Sequence, residues 1–260
     1  MPTNMAQSRE LPTDSGAEPG AQERKPLISI QRSVIPACDV GDLDVFEKIV
    51  RETSDIEGIG GYKIGLELVA PFGLIEVMRR GREYTNKPFI YDHQKAGNDI
   101  PELGVKFAEG LRKAGVESAI LFPFSSPVTQ SEWTKACQDA GLTVIVGGHM
   151  THQQFLESEG GYIADSAPER IYRLGAQMGV RDFVVPGNKV ESVNKYRELL
   201  EEILGESNFT LYAPGFIAQG GVIADAGKAA GRNWHAIVGS GIYRAQNMRE
   251  AAQQMVSQIT

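Results

Sequence analysis

From Ser33 onward, short runs of apolar and β-branched residues alternate with longer amphipathic stretches. The candidate strands are Ser33–Cys38, Gly61–Gly65, Pro88–Asp92, Ser118–Pro123, Thr143–Gly147, Asp182–Pro186, Thr210–Pro214 and His235–Gly239. Most are followed by a segment with helical spacing: Leu43–Glu52, Leu103–Ala114, Gln130–Ala140, Glu169–Met178 and Ser192–Leu204. Within Leu66–Arg80, the residues Leu68, Val69, Phe72, Ile75 and Met78 fall on one helical face. Proline is tolerated in the first turn of a helix, so Pro71 predicts a helix that starts later than Leu66. Gly115, Gly141 and Gly179 stand just before the next strand, where glycine suits the left-handed residue that closes a helix.

Eight such βα units in succession predict a single (β/α)8 TIM barrel. An open doubly wound sheet is the alternative, and it calls for a Gly-rich dinucleotide turn after the first strand. Ala37-Cys38-Asp39-Val40-Gly41-Asp42 offers none. The length of 260 residues suits the barrel, which typically takes about 250. Residues 1–27 are rich in Pro, Gly, Ser, Glu and Gln and are expected to be a disordered tail, leaving residues 28–260 for the barrel.

Composition narrows the function classes. The net charge is -7 with no Lys/Arg block, so no nucleic-acid partner is expected, although a local anion site is compatible with an acidic chain. Cys38 and Cys137 form neither a CxxC nor a Cys/His metal spacing, which fits a reducing, cytoplasmic setting without a disulfide framework. The longest apolar runs are strand-sized, so neither a membrane span nor a signal peptide is expected.

In a barrel of this kind chemistry sits at the C-terminal ends of the strands. The third strand delivers Asp92, Lys95 and Asp99 there, the first Asp39 and the second Lys63. A lysine between two carboxylates is held charged, and such an ammonium can stabilise a developing carbanion and then protonate it. An alternating Lys/Asp array is costly to bury unless its charges pair. Its use would be electrostatic preorganisation; the plainer alternative is a salt-bridge network on the barrel rim. Pro214-Gly215 with Gln219-Gly220-Gly221, and Gly239-Ser240-Gly241, look made to cradle phosphate at the seventh and eighth strands. His149 and His152, with His93 after Asp92, make a two-His-plus-carboxylate metal site conceivable, but no third ligand is placed and no metal is assigned. His235 is read as structural, and Tyr62, Tyr91, Tyr212 and Tyr243 as packing.

These residues resemble the orotidine 5′-phosphate decarboxylases, a family of barrel enzymes of pyrimidine biosynthesis. The resemblance runs from about Ser33 to Ile259 and is strongest from Met178 on. Met178-Gly179-Val180-Arg181-Asp182-Phe183-Val184-Val185-Pro186 is similar to the family's sixth unit. Tyr212-Ala213-Pro214-Gly215-Phe216-Ile217-Ala218-Gln219-Gly220-Gly221 resembles its phosphate loop, and Ile237-Val238-Gly239-Ser240-Gly241-Ile242-Tyr243 its eighth strand. Tyr62-Lys63-Ile64-Gly65 matches its strand-two lysine.

The resemblance implies decarboxylation of orotidine 5′-phosphate to UMP without metal or organic cofactor, by a homodimer with shared sites. Asp39 and Lys63 would contact the ribose, Asp92 and Lys95 the substrate carboxylate and C6, and Thr151 the pyrimidine. Asp99 would complete the array, in this family usually from the partner subunit. Gln219, Gly239 and Ser240 would surround the phosphate, and Pro186, Gly215 and Gly220 complete the substrate-binding set.

Three departures stand out. Where the family has Asp-x-Lys-x-x-Asp-Ile, this chain has Asp92-x-x-Lys95-x-x-x-Asp99-Ile100, one residue longer in each gap, so the loop must bulge if the groups converge. Ser240 stands at the family's phosphate-binding arginine, with Arg244 nearby. Leu103 replaces a common threonine. Two other readings remain open: a non-catalytic barrel that binds a phosphate ligand, and a metal-dependent sugar-phosphate lyase of the same superfamily. The latter enzymes usually carry a glutamate for the metal where Lys63 stands here.

Overall fold

The computed structural model describes residues 25–93, 97–216 and 220–259. The tail expected at 1–27 therefore lies mostly outside the described residues; Leu27 and Ile28 pack against the lower barrel core. The eight strands are β1 (Arg32–Pro36), β2 (Tyr62–Gly65), β3 (Phe89–Asp92), β4 (Ser118–Leu121), β5 (Thr143–Gly147), β6 (Asp182–Val184), β7 (Thr210–Ala213) and β8 (Trp234–Val238). All pair in parallel in the order β1-β8-β7-β6-β5-β4-β3-β2. Parallel bridges Val34–Ile59 and Ala37–Lys63 bring β1 back to β2, and the barrel predicted from eight βα units is what forms.

The helices are α1 (Leu43–Thr53), α2 (Leu66–Phe72), α3 (Leu74–Arg82), α4 (Gly104–Ala114), α5 (Pro127–Asp139), α6 (Ala167–Gln177), α7 (Val190–Leu204), α8 (Ile223–Ala230), α9 (Ser240–Tyr243) and α10 (Met248–Val256). Asp42 caps α1 by accepting from the Val45 N–H at 2.9 Å. Ser126 caps α5 by accepting from the Thr129 N–H at 3.1 Å, with Pro127 in the first turn, so this helix starts before the expected Gln130. Gly115, Gly141 and Gly179 all take positive φ, as expected of helix-closing glycines.

The stretch expected to form one helix after β2 forms two. The first begins at Leu66, and Pro71 lies near its end rather than in its first turn. The chain breaks at Gly73, at φ 76°, and the break shifts the helical register. Val77 and Met78 are buried, whereas Ile75 is 60% exposed.

Strand alternation sorts the core into two layers. Outward-facing residues such as Val34, Ile64, Phe89 and Phe183 meet the helices. Inward-facing Ile35, Ile90, Ile120, Ile145, Val184 and Ile237 form an aliphatic layer across the barrel. Below it lie buried polar groups: Ser33 pairs with His235 Nδ1 at 2.7 Å, and Tyr212 donates to Asp182 at 3.1 Å. His235 is thus structural, as its position at the start of a strand predicts.

Candidate active site

The same alternation that turns Ile90 inward turns Asp92 inward, two residues on. Lys63 is opposite Ile90 in register, so its side chain also enters the barrel. Asp39 follows β1 on the same rim. The Lys63 Nζ donates to Asp39 Oδ1 at 2.8 Å and to Asp92 Oδ2 at 3.2 Å. Lys63 is only 5% exposed. Burial by itself disfavours the ammonium, but the Asp92 and Asp39 carboxylates outweigh it and hold the pKa above the ordinary lysine value. The charge is permanent across the physiological range. The other oxygen of Asp92, Oδ1, is buried with no hydrogen-bond partner among the described residues.

These three residues line a cavity of about 510 Å³ at the C-terminal ends of the strands. Its floor is apolar, from Ile120, Val184 and Ile237, the upper edge of the aliphatic layer. Thr151, Gly215, Gly239 and Ser240 line it too, so these sequence-predicted residues converge with the charged group. A small apolar-floored cavity with charge on one wall and glycine-rich loops on another suits a polar, anionic small molecule.

The loops are held against one another. Gly187 N–H donates to Pro214 O at 2.9 Å, and Gly221 N–H to Gly215 O at 3.1 Å. Gly215 has φ 104°, and a Cβ there would stand 3.0 Å from Asn188 Oδ1 and 3.0 Å from Thr151 Cγ2. Glycine is required on both counts.

Other expected residues fall elsewhere. Pro186 is buried behind the cavity wall, where its carbonyl accepts from the Lys189 N–H at 2.9 Å. Gly220, at φ 83°, is exposed and does not line the cavity. Asp99 is exposed and does not line the cavity; its Oδ1 accepts from the Ile100 N–H at 2.7 Å and its main-chain carbonyl from Thr129 Oγ1 of α5 at 3.1 Å. Lys95 and Gln219 lie outside the described residues. His93 is turned onto Tyr91, hydrogen-bonding the phenol through Nδ1.

Residues not expected at the site also line it. Tyr243, read as packing, reaches the cavity wall, as do Phe122, Met150 and Phe216. His149 is buried in the wall with both ring nitrogens engaged, Nδ1 by Tyr196 Oη at 2.9 Å and Nε2 by Lys189 Nζ at 3.0 Å. Burial, then the neighbouring Lys189 charge, pushes its pKa down to about 4. A neutral imidazole bonded on both sides has no lone pair left for a metal. Among the described residues no group of three or more His, Cys, Asp or Glu is placed to hold a metal ion. Cys38 and Cys137 are free and buried, and no described helix is long and apolar enough to cross a membrane.

The model of the Orotidine 5'-phosphate decarboxylase / HUMPS family matches residues 32–255. An orotidine 5'-phosphate decarboxylase of Methanosarcina barkeri is 30% identical over 229 residues, covering 87% of this chain and 94% of the relative. One from Pyrococcus abyssi is 28% identical over 226 residues, covering 87% and 98%. Among solved structures, the Methanocaldococcus jannaschii orotidine 5'-monophosphate decarboxylase complexed with the inhibitor BMP aligns with TM-score 0.76 at 25% identity, over 88% of this chain and 99% of that one. The Pyrococcus horikoshii enzyme aligns with TM-score 0.71 at 26% identity, over 87% and 99%.

Proposed function

The chain belongs to the Orotidine 5'-phosphate decarboxylase / HUMPS family, and we propose that within it the chain decarboxylates orotidine 5′-phosphate to UMP, a step of pyrimidine biosynthesis. The observation that carries this reading is the Lys63 ammonium held between Asp39 and Asp92 on the wall of the cavity that Gly215, Gly239 and Ser240 also line. A fixed cation at the end of β2 disfavours a divalent ion beside it, which separates this reading from a metal-dependent sugar-phosphate lyase.

Breaking the bond from C6 to the carboxylate carbon leaves an electron pair in the plane of the pyrimidine, where the ring does not delocalise it. The reading calls for no metal or organic electron sink, so the protein supplies the opposing charge itself. Lys95 is the assigned donor: its ammonium faces the pair and gives C6 a proton as carbon dioxide leaves. Asp92 stands against the substrate carboxylate and favours its departure. Lys63 and Asp39 hold the ribose hydroxyls, and Thr151 the pyrimidine. Gln219, Gly239 and Ser240 hold the phosphate, with Gly215, Gly220 and Pro186 shaping that end. Binding energy from the phosphate, remote from C6, holds the ring against the charged wall.

Asp99 is exposed and does not line the cavity of its own chain, which supports its service in a partner's site and hence a homodimer. Residues 28–260 make one catalytic domain, working in the cytoplasm. The test is the fall in orotidine 5′-phosphate absorbance on adding purified protein, with and without EDTA. Turnover insensitive to EDTA is expected. Tight UMP binding without turnover would replace this reading with that of a phosphate-ligand binder.

A further inference from the structure

The segment between β5 and α6 is the longest loop on the cavity side, and a single ammonium spans it. It carries Met150, Thr151 and His152, which line the cavity. It then runs through Phe155 and a bridge between Leu156 and Ile163 before α6 begins. Lys189, on the loop after β6, donates to His149 Nε2 at 3.0 Å and to Glu159 Oε1 at 2.6 Å. One ammonium thus joins the near end of the loop, its far limb and the neighbouring β6 loop. Beside it Asn188 Nδ2 donates to the Thr151 carbonyl at 3.0 Å.

The chemistry of the contact is directional. An ammonium only donates, so His149 Nε2 must accept, its proton sits on Nδ1, and that N–H donates to Tyr196 Oη. His149 also stacks on Phe155, at 5.5 Å between ring centroids. Glu159 Oε2 accepts from the Phe155 N–H at 2.9 Å, which returns the far limb to the same ring. The Lys189 hydrogen bond, with those of the Phe155 and Leu156 N–H groups, overcomes burial and takes the Glu159 pKa down to about 2.

We propose that Lys189 is a positioning residue for the reaction: by bridging His149 and Glu159 it sets the loop so that Thr151 faces the pyrimidine. This rests on the function proposed above. The groups facing His149 are Lys189, Glu159, Lys195 and His152, with Tyr196 on Nδ1. Removing Lys189 leaves His149 Nε2 beside Glu159 Oε1, now 3.8 Å away, and His149 becomes an imidazolium at a higher pH than in the wild type.

The test compares wild type, Lys189→Met, Glu159→Gln and the double variant, each shown to be folded by its thermal transition. For Lys189→Met we expect KM for orotidine 5′-phosphate to rise about tenfold with kcat changed far less, because the clamp acts on placement of the ring rather than on the charge at C6. Its KM should rise more steeply than that of wild type below about pH 6, the ordinary histidine range, the wild type correcting for titration of the substrate phosphate. The double variant should be no worse than Lys189→Met alone. Unchanged KM in folded Lys189→Met, or additive losses in the double variant, would overturn the proposal.

A ligand-free readout separates this from the function itself. By NMR the His149 imidazole should titrate higher in Lys189→Met, and the Thr151 methyl signal should shift. If wild type fails to decarboxylate orotidine 5′-phosphate, the function falls. The clamp then stands if both signals move and is overturned if they do not.

Discussion

Lys63 Nζ lies 3.2 Å from Asp92 Oδ2, and the second oxygen of that carboxylate is buried without a hydrogen-bond partner among the described residues. The cation therefore satisfies only half of Asp92. A buried acceptor left in this state costs about 1–3 kcal/mol, and such strain concentrates where a ligand or a moving group is to meet it.

Lys63→Met keeps the length of the side chain and removes the charge. It leaves Asp39 and Asp92 without their shared cation, so kcat/KM for orotidine 5′-phosphate should fall by at least about 100-fold. Steady-state kinetics of a folded Lys63→Met protein checks this; a loss under threefold would remove Lys63 from the site.

Two histidines set the acid side of stability. Burial lowers His235 to about 3, and burial with the Lys189 charge lowers His149 to about 4, both from 6.5. As pH falls below 6.5 the unfolded chain takes up protons that the folded chain refuses, so stability is full above 6.5 and drops by about 1 kcal/mol per pH unit for each histidine until its folded value is reached. Urea midpoints at pH 7.5, 6 and 5 should show the decline, and His235→Asn should make it shallower. Equal midpoints across that range would contradict the neutral imidazoles.

At the phosphate end, Gly215→Ala forces a side chain onto Thr151 and Asn188 at an unfavourable φ. It should cost about 1–3 kcal/mol in stability and raise KM. Urea unfolding and initial rates check the two effects separately.

Ser240 offers a smaller donor than the arginine that the family resemblance implies at this position. Ser240→Arg should tighten UMP binding, by about tenfold if the guanidinium forms a bidentate contact. Calorimetric titration of UMP decides it, and weaker binding in a folded variant would place the phosphate elsewhere.

Complementation tests the proposal that a homodimer shares its sites. Lys63→Met and Asp99→Ala proteins, each nearly inactive, should regain about a quarter of wild-type activity after mixing and subunit exchange, since half the dimers are mixed and each holds one intact site. No recovery after verified exchange would return Asp99 to a purely local role.

Much of the barrel was legible in the chain because its strands are buried on both faces and read as short apolar runs bounded by turns. Lys63 and Asp92 were legible for the same reason: each sits near the end of such a run. The break at Gly73 was not, because Phe72, Ile75 and Met78 continue one helical spacing and nothing local signals that Gly73 will resolve Pro71 by resetting the register. Lys189 was hidden too. Its partners His149 and Glu159 come from another βα unit, and only the folded loop brings them together. Tyr243 packs on the core as its place beside a strand suggests, and the single turn of α9 also brings it to the cavity wall.

The aliphatic layer of Ile35, Ile90, Ile120, Ile145, Val184 and Ile237 carries no side-chain donor or acceptor. It separates the hydrogen-bonded floor of His235 and Asp182 from the Lys63 pole with close-packed hydrocarbon. Hydrogen used at C6 must be replenished through the mouth, on the loop side. In the proposed reaction the donor exchanges with solvent through that mouth, so UMP formed in heavy water should carry deuterium at C6.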